Sequence, residues 1–212
     1  MNFLAFPQSA ALWSVLLLLL TIPPATAQSL PSLPIQFNPD NLINPGRPGN
    51  RRRGGGSRGG CQAEIPLTAI SYADSRTVEE LGVTRIEETV GTLTTKAQPT
   101  LLFYLPQPLS ENTTTELIVQ DQHRQLLFQG QLMGQTEHSG VVSVPITVDL
   151  ALNTPYYWAL TLNCTDGSTA VDGWIERRAN APALTRTFNE TNPRNRAALY
   201  ASYGFCRICS VS

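Results

Sequence analysis

Histidine is almost absent from this chain: His123 and His138 are the two in 212 residues. That leaves few options for metal ligation or for acid–base work near neutral pH. The two are not at helical ligand spacing, and no second Cys-x-x-Cys exists to close a tetrahedral zinc site. Neither a metal nor a cofactor is expected. The Gly-x-Ser-x-Gly of a nucleophile elbow does not occur, which removes the usual serine hydrolase. Charge is sparse too, at 15% of residues, against roughly a quarter in soluble domains. The 15 Lys and Arg nearly balance the 16 Asp and Glu, so a bulk basic coat for nucleic acid is excluded. Long apolar runs are missing as well. Leu12 to Leu20 is apolar except for Ser14, and it falls short of the ~20 residues that span a bilayer. Proline and glycine, by contrast, number 16 and 15, and they disfavour a long helical bundle.

The apolar run reads as part of an address label over residues 1–27. Pro23 and Pro24 follow it, and Ala25 and Ala27 supply the small residues that a signal peptidase needs before a cut at Gln28. No Lys or Arg precedes the run, so the free N-terminus must provide the positive charge. The expectation is an exported protein, periplasmic or secreted, with no membrane span after cleavage. Thiols outside the cytoplasm tend to become disulfides. The first cysteine is Cys61, so no lipid-anchoring cysteine stands near the cut.

Residues 28–60 read as a flexible tether. They hold Pro31, Pro34, Pro39, Pro45 and Pro48, then a Gly-rich tract with Arg51, Arg52, Arg53 and Arg58. Such a composition buries too little apolar surface to offset its ordering entropy. The tract lacks the spacing and terminal Lys of a phosphate-binding loop. No aromatic residues are interleaved for base stacking, so nucleic acid is not expected as a partner. An electrostatic arm for anionic envelope material fits the compartment, and a merely solvated linker is the plain alternative.

The body, residues 61–180, reads as strands. Thr100 to Leu105, Glu116 to Asp121, Gln125 to Gln129, Val141 to Val148, Tyr156 to Leu162 and Ala170 to Arg177 are β-rich runs, with Leu67 to Tyr72 in front. Turn-punctuated spacing of this kind points to an all-β fold, an Ig-like antiparallel β-sandwich of about seven strands. Asp166-Gly167 stands where a hairpin between the last two runs would turn. Val78 to Val90 is ambiguous between a short helix and a strand. Its Glu79-Glu80 and Glu87-Glu88 pairs invite a glycosidase reading, which requires two acids about 5–9 Å apart; a solvated face is the simpler account. Trp158 and Trp174 read as core, and sugar stacking becomes credible only where one is exposed beside Tyr156 or Tyr157. Residues 181–212 read as a short C-terminal helix or tail.

The four cysteines are Cys61, Cys164, Cys206 and Cys209. Export makes Cys61–Cys164 the default bridge, although three connectivities exist. Cys206 and Cys209 have redox-motif spacing, but three residues follow them, and the helix whose N-terminus would stabilise a thiolate is missing.

Several of these runs resemble a cyanobacterial domain-of-unknown-function family, numbered nine hundred and twenty-eight. The resemblance starts at Pro48-Gly49 and the Arg/Gly tract up to Cys61. It continues through Pro99 to Pro106, Gly140 to Pro145 and Tyr157-Trp158, and ends most clearly at Gly173 to Arg177. It spans roughly residues 48–180 and implies an extracytoplasmic β-rich domain with no assigned activity. Two departures stand out: Tyr72 to Leu93 is longer than the family's usual stretch, and the ending after residue 197 differs. The favoured reading is a non-catalytic binding module of the cell envelope, with an envelope protein or anionic glycan as partner. An envelope polysaccharide hydrolase and a thiol–disulfide protein using Cys206 and Cys209 are the alternatives.

Overall fold

The computed structural model describes residues 34–38, 52–53, 61, 63–109, 112–132, 139–180 and 192–205. Within them the chain forms nine strands in two sheets and one helix. The smaller sheet joins β1 (Thr68–Ala69), β4 (Thr100–Leu105) and β7 (Gly140–Pro145) in that order. The larger sheet runs from β2 (Tyr72–Glu80) through β3 (Val83–Thr94), β9 (Gly167–Arg177), β8 (Pro155–Cys164) and β5 (Thr114–Gln120) to β6 (Leu126–Gly130).

The β-sandwich class holds, with two differences from expectation. Nine strands replace seven, because the ambiguous segment is a hairpin, β2–β3. Its loop is Leu81 and Gly82, both at positive φ (54° and 77°), the backbone of a two-residue turn matched to sheet twist. The second difference is a parallel pair: β3 lies beside β9, with Gly91 opposite Trp174 and Thr94 opposite Arg177. The other strand pairings are antiparallel.

Alternation builds the core. In β8, Tyr156, Trp158, Leu160 and Leu162 point inward and are buried, matched by Leu117 and Val119 of β5 and by Leu101, Phe103 and Leu105 of β4. Phe103 meets Trp158 edge to face across the two sheets, with ring centroids 5.5 Å apart. Gly173 makes room for that indole. A Cβ there would lie 2.6 Å from Trp158 Cζ2 and 2.9 Å from the Val90 carbonyl oxygen. Among the described residues Trp158 Nε1 has no hydrogen-bond partner, so within them this residue contributes through packing and bears a desolvation cost.

The hairpin between β8 and β9 turns at Thr165-Asp166, one residue before the expected Asp166-Gly167, with Cys164 opposite Gly167. The bridge Cys61–Cys164 is formed, across a sequence separation of 103. Cys61 sits at φ 58°, and its N–H donates to Asp166 Oδ1 at 3.1 Å. The start of the domain is thus tied to the end of β8.

The expected C-terminal helix is α1 (Pro193–Ser202). Asn192 caps it, its side chain accepting from the Arg194 and Asn195 N–H groups, and Pro193 opens it, as these residues favour. Gly204 at φ 78° follows its end. Leu93, Phe205, Tyr200 and Tyr203 form a second small apolar cluster. Strand alternation turns Leu93 away from the face of Val90, so this cluster lies on the opposite side of the large sheet. Among the described residues, no helix is long and apolar enough to cross a membrane.

Candidate functional site

The arginine tract is the candidate site that the sequence singles out, and part of it lies on the sandwich. The Arg52 carbonyl accepts from the Ala69 N–H at 2.8 Å, and Arg53 bridges antiparallel to Thr68. The chain here acts as an extra strand residue beside β1. The Arg52 N–H donates to Glu88 Oε2 on β3 at 3.1 Å, which links the small sheet to the long hairpin of the large one. The arginines make these contacts through their backbone N–H and C=O groups, so their guanidinium groups take no part in them. The Arg53 residue is exposed and Arg52 half-buried. Arg51 and Arg58 lie outside the described residues.

A second contact falls in the same expected tether. Phe37 stacks on Tyr72 with centroids 3.8 Å apart, and the Asn38 N–H donates to the Ala201 carbonyl at 3.0 Å. Burial, and then the nearby Asp74 carboxylate, push the Tyr72 phenol above its usual range.

The β2–β3 hairpin carries the paired acids, and its register argues against their convergence. Neighbouring residues of a strand fall on opposite faces, so the two members of Glu79-Glu80, and those of Glu87-Glu88, stand at positions on opposite faces of the hairpin. Register puts Glu79 opposite Thr84 and Glu88 opposite Ser75 on one face; Glu80 opposite Val83 and Glu87 opposite Arg76 share the other. Of these four glutamates, those that share a face are thus four strand positions apart along the backbone, about 13 Å, beyond the spacing that either glycosidase geometry uses. The segment instead exposes apolar side chains: Leu81 is 99% exposed, Ile86 75% and Val83 63%.

The aromatic platform is absent at the tryptophans, with Trp158 1% and Trp174 3% exposed. Tyr157 meets Trp174 edge to face at 5.6 Å. Two acids are buried in β9, Asp172 and Glu176, and Glu176 is ion-paired with Arg178. Arg177 Nη1 donates to the Leu150 carbonyl at 3.0 Å. The exposed His123 sits in a turn held by Asp121 Oδ1, which accepts from the His123 and Gln125 N–H groups, each at 2.8 Å. His138, Cys206 and Cys209 lie outside the described residues. Among the described residues, no three His, Cys, Asp or Glu side chains gather as a metal site would require.

These features define a disulfide-tied, two-sheet β-sandwich domain with a projecting hairpin. The chain belongs to the family described as Domain of Unknown Function (DUF928), whose sequence profile matches residues 53–206. The match begins at the residue that bridges β1 and continues through α1, beyond the stretch that the sequence motifs delimit. No curated protein matches. Among solved structures, the crystal structure of Parabacteroides merdae beta-glucuronidase (GUS) with glycerol in its active site aligns with 12% identity over 66% of this chain. The alignment spans 23% of that protein's length, with a TM-score of 0.29, and nothing is inferred from it.

Proposed function

We propose that this protein is a non-catalytic binding module acting outside the cytoplasm. Its arginine arm, Arg51, Arg52, Arg53 and Arg58, engages an anionic glycan of the cell envelope. The observation that carries this reading is the backbone anchoring of Arg52 and Arg53 beside β1. A tract anchored this way presents cations from a defined place on the domain and loses less entropy on binding than a free tether. Arginine suits such a ligand, since its planar fork donates two hydrogen bonds to one carboxylate or sulfate. The Cys61–Cys164 bridge accords with an oxidising compartment.

The test is co-sedimentation of the chain from Gln28 onward with an acidic envelope polysaccharide, and with the same polymer after its carboxylates are reduced. Binding should weaken as salt rises, and should be lost on the reduced polymer and in a variant with all four arginines changed to Ala. The backbone bonds of Arg52 and Arg53 survive that change, so the melting temperature should hold. Equal binding by the variant would sink the proposal.

A further inference from the structure

The larger sheet ends in β2 and β6, the smaller in β1 and β7. A sheet edge offers unpaired N–H and C=O groups, a template for another strand. Three of these four edges are blunted. β1 is two residues long and is bridged by Arg53. β6 has five residues, and its pairing with β5 shifts register between Val119 and Gln120. β7 closes on Pro145. By contrast β2 has nine residues and no proline, in unbroken register with β3. Its hairpin also carries the exposed Leu81, Val83 and Ile86 on its tip and two faces.

The residue types along β2 are complementary to themselves. The two-residue loop makes Glu80 and Val83 the hydrogen-bonded pair beside the turn. Even-numbered residues of β2 therefore bond to β3, and odd-numbered ones turn their N–H and C=O groups to the free edge. We infer that two copies of this chain pair β2 to β2, antiparallel, about a twofold axis through Val78. That axis brings Thr77 and Glu79 of opposite copies into hydrogen-bonded register. It also sets Arg76 of each copy opposite Glu80 of the other, on the strand face of Val78.

Neighbouring registers are worse. An axis at Thr77 opposes Asp74 and Glu80, two acids, and one at Arg76 opposes arginine to arginine. An axis at Glu79 leaves Arg76 facing Gly82, with no charge pair. An axis at Ser75 pairs Asp74 with Arg76, but it drives each hairpin tip past Tyr72, where Phe37 stacks. With the axis at Val78, Gly82 comes opposite Asp74, two residues short of Tyr72, and Leu81 comes opposite Ser75. Charges on an edge strand ordinarily discourage pairing with other strands. Here the same charges admit a copy of their own strand in one register, the self-complementarity that an isologous interface requires.

The experiment is sedimentation velocity on the chain from Gln28 onward, over a dilution series. The wild type should show a monomer–dimer equilibrium. Arg76→Glu and Glu80→Arg should each raise the dimer dissociation constant at least about 30-fold, since either change converts two attractive cross-strand pairs into repulsive ones. The double exchange, R76E with E80R, should return it to within about threefold of wild type. Arg76 also stands opposite Glu87 in the register of its own hairpin, so a charge reversal at that position tests the fold as well. Thr77→Pro separates the two effects: it removes an N–H that faces the free edge and leaves the bonds to β3 in place. It should abolish the dimer while the monomer's melting temperature stays within a few degrees. A wild type that is monomeric throughout, a dimer indifferent to Thr77→Pro, or a double exchange no better than its parents would each overturn the inference.

Discussion

The two long hairpins of this protein, β8–β9 and β2–β3, share a plan and differ in every consequence of it. Each joins its strands through a two-residue loop and keeps an unbroken register, over ten residue pairs in the first and nine in the second. In β8–β9 both strands have further neighbours, β5 on one side and β3 on the other. Their inward side chains form the core, and the loop end is tied to Cys61. In β2–β3 the pairing with β9 begins only at Gly91, so among the described residues Val83 to Val90 have β2 as their one strand neighbour. A two-stranded ribbon is marginal in water. The same local geometry therefore yields the framework of the fold in one place and an element held out to solvent in the other. Burial on both sides, rather than hairpin formation itself, separates them.

Removing the Cys61–Cys164 bridge should produce the largest change, and it should fall on the β8–β9 side. In the chain-entropy model, closing a loop of about a hundred residues contributes about 4–5 kcal/mol. Changing both cysteines to Ala should lower the unfolding free energy by about 2–5 kcal/mol in urea titrations. A loss well below that range would mean that packing around Cys61 and Asp166 already holds this end.

Gly173→Ala should be the next largest effect. The added carbon meets a tryptophan ring on one side and the Val90 carbonyl on the other. Backbone cannot yield as a flexible side chain can, so about 1–3 kcal/mol of overpacking strain follows. The companion change Trp158→Phe should recover part of that loss by shrinking the ring above Gly173. A neutral Gly173→Ala would show that β3 and β9 are not held as closely as their register requires, and the contrast between the hairpins would soften.

The sequence makes the first hairpin readable and the second nearly opaque, for one physical reason. Tyr156, Trp158, Leu160 and Leu162 alternate with half-exposed residues, because one face of β8 meets the core. That period of two is the direct imprint of one-sided burial. Val78, Val83 and Ile86 show no such period, because the outer ribbon has no buried face to imprint it. Its turn is disguised too, since leucine in place of Asn or Asp before Gly82 does not announce a two-residue loop. The β3–β9 pairing joins segments some eighty residues apart, and nothing local encodes such a partner. The candidate site divides in the same way. Arginine content marks the tract, but its anchoring depends on backbone N–H and C=O groups that every residue type carries. The Cys61–Cys164 bridge was legible because compartment and position both pointed to it. Asn192, Pro193 and Gly204 likewise announce the ends of α1.

The smallest expected effect bears most closely on what the projecting hairpin is for. Leu81 stands at φ 54°, a conformation that costs a residue with a Cβ about 1–2 kcal/mol, and its side chain is 99% exposed. It recovers nothing by burial within its own chain. Asparagine tolerates that backbone conformation far better, so Leu81→Asn should stabilise the hairpin by about 0.5–1 kcal/mol. If the ribbon unfolds together with the sandwich, the urea midpoint should rise. If it opens separately, the midpoint should stay fixed while amide exchange slows in β2 and the outer half of β3 alone. Either result would accord with a contact made by Leu81 outside its own chain, since burial within the chain offsets none of its strain. A destabilised Leu81→Asn variant would instead show that Leu81 supports the hairpin it caps, and the ribbon would then belong with β8–β9 as framework.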